Sequence, residues 1–489
     1  MASTMPDYIC TKRSASASTP TVAATCRPRD VDGRDRDLTA TCPRRGHGQR
    51  PSLSVRREDD LVDMSVEAPR TPSGRRGAID VARVGALVMV VLGHLTLAVI
   101  DRGSDGAIRG ANAIALHPDL AWLAMLAPMP VFFAAAGWAN ATATPRSAAP
   151  RLRTLIGLAV VVVVSWSTLS MLGYVVFGGG AIADGARIAT QPLWFLAVYV
   201  PLAAFGSDVA RWVEHPGVAV GGSLAVLAAL DVARFGYGAP DAIGWPGFFL
   251  AWGVPWLLGA WWRRRWQSGW THERRTGAAL VVIGSVCAVG LVLFAGYHPA
   301  LIDAVEGQRS NTTPPGLFTA TAAIVQVGLL MMVATWLDRL AELHRGLFGR
   351  GGEASVAVYM WHLSALALCA AVLAAGVWAP ERFSGAWWLT RPLWFAAVLG
   401  VTALLVAATS WVRGRLGAQI ETGPPSDLRI VLGVICVTIG AGTIGLLGPR
   451  TPLSATVAVA AFVTGWWCLR APSARRRSAA TSSTRQTAH

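Results

Sequence analysis

Twelve blocks of apolar residues run through this chain, at about 79–100, 120–140, 152–177, 191–206, 216–233, 243–262, 277–297, 315–337, 354–378, 387–410, 429–447 and 453–469. Many match the roughly 20 residues of helix that cross a bilayer. None alternates polar with apolar residues in the roughly 10-residue units of barrel strands, and hydrocarbon leaves helices or closed barrels as the only spanning structures. The expectation is an all-α fold, a polytopic transmembrane helix bundle. Its fourth, fifth and last spans are short. The chain is 53% hydrophobic and 15% charged, where a soluble domain carries about 25% charge. A soluble globule, a disordered chain and a secreted disulfide scaffold are all excluded. No loop is long enough to hold a soluble catalytic domain, so any chemistry lies among the helices or at their mouths.

Charge gives the expected orientation. With the N-terminus in the cytoplasm, the inside loops (141–153, 206–216, 263–276, 338–352, 411–429) carry fifteen Arg and the outside loops (101–119, 178–190, 234–242, 298–314, 379–391, 448–452) carry eight. The densest cluster, Arg263-Arg264-Arg265 with Arg274-Arg275, then falls inside, as the positive-inside rule requires. This predicts a multi-pass protein of the inner or plasma membrane with both termini cytoplasmic. The net charge of +15 sits in tails and loops. It fits the anionic lipid of a cytoplasmic leaflet better than nucleic acid, and no nucleic-acid partner is expected. Residues 1–75 and 471–489 read as disordered basic tails. The first holds no apolar signal-peptide core, and Met64 opens a shorter tail that still leads into the first span, which suggests an upstream start for residues 1–63. Seven cysteines form no CxxC and no zinc-spaced set with histidine, so no metal is expected.

Ionisable groups within a span cost about 2.5–3.5 kcal/mol each on the insertion scale, and they usually face a cavity or a partner. His94 and His362 are the two histidines well within spans. In the first span, Asp80 stands three residues before Arg83, and Arg83 eleven before His94. Eleven residues make three helical turns, so Arg83 and His94 share a face about 16 Å apart along the axis. Asp80 is spaced to pair with Arg83. An arginine near the cytoplasmic mouth suits a phosphate-bearing ligand. A histidine in a dry site favours the neutral form that a general base needs. The same residues also fit a structural reading, in which Arg83 snorkels to lipid and His94 bonds a neighbouring carbonyl. Counted from the start of its block, His362 lies about 12 Å from the cytoplasmic face against about 22 Å for His94, which keeps the two imidazoles apart. His362 is therefore expected to line the substrate path or to support it, with Tyr359 one turn before it, and it equally fits a structural histidine bonded within the bundle.

Phe132-Phe133-x-x-x-Gly137 in the second block, Trp194-Phe195-Leu196 in the fourth and Tyr359-x-Trp361-His362 in the ninth follow the Arg83-(ten residues)-His94 step in order. In this the chain resembles the acyltransferase 3 family, integral-membrane O-acyltransferases of lipopolysaccharide, peptidoglycan, other glycans and macrolides. The resemblance covers about residues 76–412, or ten core spans. Two further C-terminal spans fill 413–470. It implies an acyl-CoA donor, usually acetyl-CoA, entering from the cytoplasm as substrate, with no cofactor permanently bound. The acceptor it implies is a hydroxyl of a glycan, lipid or small molecule. His94 matches the essential histidine and Arg83 its paired arginine. Arg146, Arg151 and Arg153 occupy the loop where the family has Arg-x-x-Arg, and they are expected to help Arg83 hold the donor. Asp80, Phe132, Phe133, Gly137, Trp194, Tyr359 and His362 are expected to line the substrate path. Ala136 stands where the family usually has serine. The alternative is a transporter or exporter, which also suits twelve spans with buried charge, although few carboxylates lie mid-span and Asp231 is near an end.

Overall fold

The computed structural model describes residues 75–102, 108–117, 127–178, 180–205, 215–301, 310–374, 380–417 and 425–470. The two tails expected at the ends of the chain lie outside the described residues, apart from Arg75. Helix α1 spans Gly77–Leu97 and runs into an antiparallel hairpin, β1 Ala98–Arg102 with β2 Ile108–Asn112, in which Ala98 faces Asn112. A single turn, α2 Ala113–Leu116, follows. Then come α3 Met129–Asn140, α4 Pro145–Phe177, α5 Ala181–Thr190, a 3-10 turn Gln191–Phe195 and α6 Leu196–Ala204. The chain continues through α7 Pro216–Asp231, α8 Gly247–Gln267, α9 Glu273–Ala295, α10 Leu317–Leu343, α11 Arg345–Ala374, α12 Gly385–Gly417, α13 Asp427–Leu447 and α14 Pro452–Cys468.

Every expected block contains a helix. Among the described residues nine helices are long and apolar enough to cross a membrane, so this is an all-α, multi-pass membrane protein. Those at the second, fourth and twelfth blocks, α3, α6 and α14, are shorter than a full crossing. Two stretches expected as plain outer loops carry structure of their own. The hairpin occupies part of 101–119, and α5 fills most of 178–190, with Ala183, Ala186, Ala189 and Thr190 buried at a helical period.

Local sequence sets the boundaries. Thr144 caps α4 in a reciprocal capping box with Ser147, and Pro145 supplies the first helical residue, where its missing N–H costs nothing. Thr451, Pro452 and Ser454 repeat the device on α14. Gly178 and Gly296 close α4 and α9 in the left-handed conformation, with φ of 72° and 70°.

The core forms two lobes, and α1 and α3 contribute to both. The N-terminal half of α1 (Ala78, Ile79, Val81, Ala82) packs with Ala134, Ala135 and Trp138 of α3 against α8 and α10. Its C-terminal half (Ala86, Leu87, Val91, Leu95) packs with Phe132, Phe133 and Ala136 against α4, α6 and α11. Contact between α3 and α8 is backbone to backbone. A Cβ on Gly137 would sit 2.0 Å from the Trp256 carbonyl oxygen, and one on Gly259 would sit 2.0 Å from that of Ala134. Paired small residues of this kind let membrane helices approach closely.

One buried cation ties the N-terminal end of α1 to α9 and α10. Arg76, 7% exposed, donates from Nη1 and Nη2 to Glu273 at 2.5 and 3.0 Å, and from Nε to Asp338 at 2.9 Å. Its guanidinium lies 5.2–5.7 Å from the ring centroids of Trp138, Trp262 and Trp266. The Trp262 indole N–H also donates to Glu273.

The last two helices pack on the rest of the bundle. Arg146 pairs with Asp427 at 2.8 Å, Arg450 with Asp184 at 2.5 Å, and the Ser170 hydroxyl donates to the Pro449 carbonyl at 2.6 Å.

Candidate active site

Two histidines from helices far apart in sequence meet. The distance from His362 Nε2 to His94 Nδ1 is 3.0 Å, and their ring centroids are 5.1 Å apart. His362 Nδ1 lies 2.6 Å from the Tyr359 carbonyl oxygen, one turn back on α11. The expected separation in depth is thus overturned. The reason is the start of α11, which begins at Arg345 and runs through the Gly351-Gly352 pair without a break. Each histidine then lies seventeen residues after the first residue of its helix, about 25 Å of rise in both cases.

His362 is fully buried. His94 is exposed, and the direction of its exposed side matters. The apolar residues of α1 that face outward are Val88, Met89 and Leu92. At 100° per residue that stripe lies roughly 180° around the helix from His94. The imidazole therefore opens on the side of α1 turned toward α11, away from the lipid-facing stripe.

Below the histidines lies a cavity of about 310 Å³. Arg83 of α1, Phe132, Ala136 and Asn140 of α3, Arg151 and Leu155 of α4, and Phe195 with Tyr199 at the start of α6 contribute to its wall. Arg83 and Arg151 have no carboxylate partner among the described residues. Two unneutralised guanidinium groups make one end of the cavity a site for a negatively charged ligand. Aromatic rings close the other end. Phe132 stacks on Tyr359 with centroids 6.1 Å apart, and Phe195 meets the same ring edge-on at 5.1 Å. Tyr359 in turn lies 5.7 Å from His362. The order from mouth to depth is guanidinium, aromatic wall, imidazole pair.

Several expected site residues have other partners. Asp80 does not pair with Arg83 but accepts from Arg75 Nε at 2.8 Å. The i, i+3 spacing permits the expected pair, yet Arg83 is directed into the cavity while Arg75 lies at the exposed rim beside Asp80. Arg146 is engaged by Asp427 through two hydrogen bonds, and Arg153 is buried off the cavity wall. Of the three loop arginines, Arg151 alone is in the cavity wall. Phe133 stands behind Phe132, stacked on Trp252 at 5.2 Å. Trp194 packs on Trp252 and Phe248, and Gly137 faces the α8 backbone. These three hold the wall from behind.

Sequence reasoning passed over Asn140 and Tyr199, and it quoted Phe195 only as part of the Trp194-Phe195-Leu196 stretch without giving it a place in the site. Asn140 is an amide at the end of an apolar helix, buried, with its side-chain nitrogen donating to the Ala136 carbonyl at 2.9 Å. Phe195 and Tyr199 are one turn apart, and that spacing was the available signal.

Taken together, these features define a membrane-embedded site with a basic entrance and a histidine at depth, set in a multi-pass helix bundle. The model of the acyltransferase 3 family, described as an acyltransferase domain, matches residues 76–412, and the chain belongs to that family. It is a membrane acyltransferase by class. No curated protein and no solved structure matches the chain.

Proposed function

We propose that the protein transfers an acyl group, acetyl in the first instance, from acyl-CoA to a hydroxyl of a cell-envelope glycan, a glycolipid or a secondary metabolite. The observation that carries this reading is the cavity itself. Its unpaired Arg83 and Arg151 lie at one end, and His94 stands about 16 Å further along α1 behind the Phe132–Phe195–Tyr359 wall. The arginines hold the phosphates of CoA, and the pantetheine arm lies along the apolar cavity toward His94. His94 takes the proton of the acceptor hydroxyl as its oxygen attacks the thioester carbonyl. The carbon–sulfur bond then breaks, and the thiolate leaves with that proton as CoA thiol. In this reading the Arg83 end of α1 faces the cytoplasm of an inner or plasma membrane, with both termini on that side.

Transport is the less economical reading. Asp231, the carboxylate that a transporter would use to couple an ion, is held by Arg234 at 3.2 Å, the Tyr297 hydroxyl at 2.8 Å and the Leu317 N–H at 2.7 Å. It serves the joint between α7, α9 and α10.

The test uses purified protein in proteoliposomes with acetyl-CoA, together with mass spectrometry of envelope and extractable metabolites from cells with and without the gene. One product heavier by an acyl group, absent with His94→Ala although that variant inserts and accumulates, is the expected result. Normal transfer by His94→Ala overturns the assignment.

A further inference from the structure

The contact between the two histidines fixes more than their separation. His362 Nδ1 is 2.6 Å from the Tyr359 carbonyl oxygen, and a carbonyl oxygen only accepts. In a neutral imidazole one nitrogen carries hydrogen and the other is bare. The hydrogen of His362 is therefore on Nδ1, and its Nε2 is an acceptor. The partner of that Nε2, 3.0 Å away, is His94 Nδ1, so His94 must carry its own hydrogen there. This leaves Nε2 of His94 bare, on the ring edge that His362 does not cover. A shared metal ion does not explain the pair. Two bonds of about 2.1 Å at a tetrahedral angle would hold the nitrogens about 3.4 Å apart, and no third His, Cys, Asp or Glu joins them among the described residues.

We infer that His362 is the positioning residue for His94, working through a carbonyl–imidazole–imidazole chain (Tyr359 carbonyl, His362, His94). It holds His94 in the Nδ1–H tautomer and presents a bare Nε2 to the acceptor hydroxyl. The inference rests on the proposed role of His94 as base. When Nε2 takes the hydroxyl proton, His94 becomes imidazolium, and its Nδ1–H points at the bare Nε2 of His362. The positive charge thus forms against a ready acceptor, with no rearrangement. When the proton passes on to the departing thiolate, His94 returns to the same neutral tautomer. His362 stays neutral throughout. Its ring is not in the wall of the arginine-lined cavity, and the groups it meets are the carbonyl and ring of Tyr359 on its own helix and His94 across the interface. A carboxylate in the place of His362 would do similar work in a wetter site. In this one, 0% exposed, a neutral acceptor avoids burying an unpaired anion.

The experiment reads the tautomer directly. Protein labelled with ¹⁵N at histidine is placed in lipid nanodiscs, and the His94 resonances are assigned by difference with His94→Gln. Hydrogen on Nδ1 of His94 is expected in the natural protein and in His362→Gln, whose side-chain amide oxygen can accept at the position of Nε2. In His362→Phe, which keeps a ring but has no acceptor, that preference weakens to what the Val90 carbonyl, one turn back on α1, retains. Acyl transfer from acetyl-CoA by the same samples falls roughly a hundredfold in His362→Phe at unchanged donor KM, and His362→Gln regains most of it. Hydrogen on Nε2 of His94 in the natural protein, or an unaltered tautomer in His362→Phe, overturns the inference. Loss of the base reading has a different signature: the tautomers behave as expected while His94→Ala still transfers acyl groups.

Discussion

Gly137 of α3 faces the main chain of Trp256 in α8 so closely that a methyl group on it would lie 2.0 Å from the Trp256 carbonyl oxygen. Phe132 and Ala136, on the neighbouring face of the same helix, form part of the cavity wall. The position of that wall therefore depends on a glycine that never touches the cavity. Gly137→Ala is expected to push α3 off α8 and to lower stability by about 1–3 kcal/mol, the usual cost of overpacking. Thermal unfolding in detergent measures it. Gly253→Ala, on the same α8 with nothing within 4 Å of its added methyl, should show no such loss.

Arg76 provides a second structural test. Its guanidinium is buried between two carboxylates and three indoles. Arg76→Met leaves Glu273 without its cation, and removing one partner of a buried pair costs about 3–5 kcal/mol. Replacing both partners, with Arg76→Met and Glu273→Gln together, should recover a large part of that loss. A double-mutant cycle on unfolding midpoints decides it, and a double variant whose penalty equals the sum of the two single penalties would mean that the pair contributes nothing specific.

At the cavity mouth the expectation is kinetic. Hydrogen bonds to charged groups contribute about 1.5–3 kcal/mol, so Arg83→Ala or Arg151→Ala should raise the KM for acetyl-CoA by roughly tenfold to a hundredfold. Arg146→Ala should leave that KM unchanged, because Arg146 is already paired with Asp427. A rise of equal size in Arg146→Ala would show that the donor is held by bulk positive charge and not by the cavity wall.

Much of this architecture is legible in the sequence. Apolar length alone places the helices, because a backbone in hydrocarbon has no alternative to them. The Arg83–His94 stripe is legible because three turns of helix return to one face. What escapes is what depends on a second element. Most of the hairpin and all of α5 lie outside the apolar blocks, where hydropathy gives no signal. The meeting of His94 with His362 is hidden by Gly351-Gly352, which reads as a loop and in fact lies within α11. Asp80 is assigned to Arg83 by spacing, but spacing carries no information about the cavity toward which Arg83 turns.

Ala136 offers the sharpest test of where the donor lies. It stands in the cavity wall between Phe132 and Asn140, one turn from each, and 7% exposed. A leucine there projects into open space of about 310 Å³ and leaves the α3–α8 contact on the neighbouring face in place. Burying the added carbons should keep stability unchanged or raise it slightly, at about 0.8 kcal/mol per methylene at most. Donor binding should fall at least tenfold, because the leucine takes up part of the path between Arg83 and Tyr359. Thermal unfolding and acetyl-CoA binding, measured on the same preparation, separate the two effects. If Ala136→Leu binds acetyl-CoA normally and remains stable, the donor takes another route to His94.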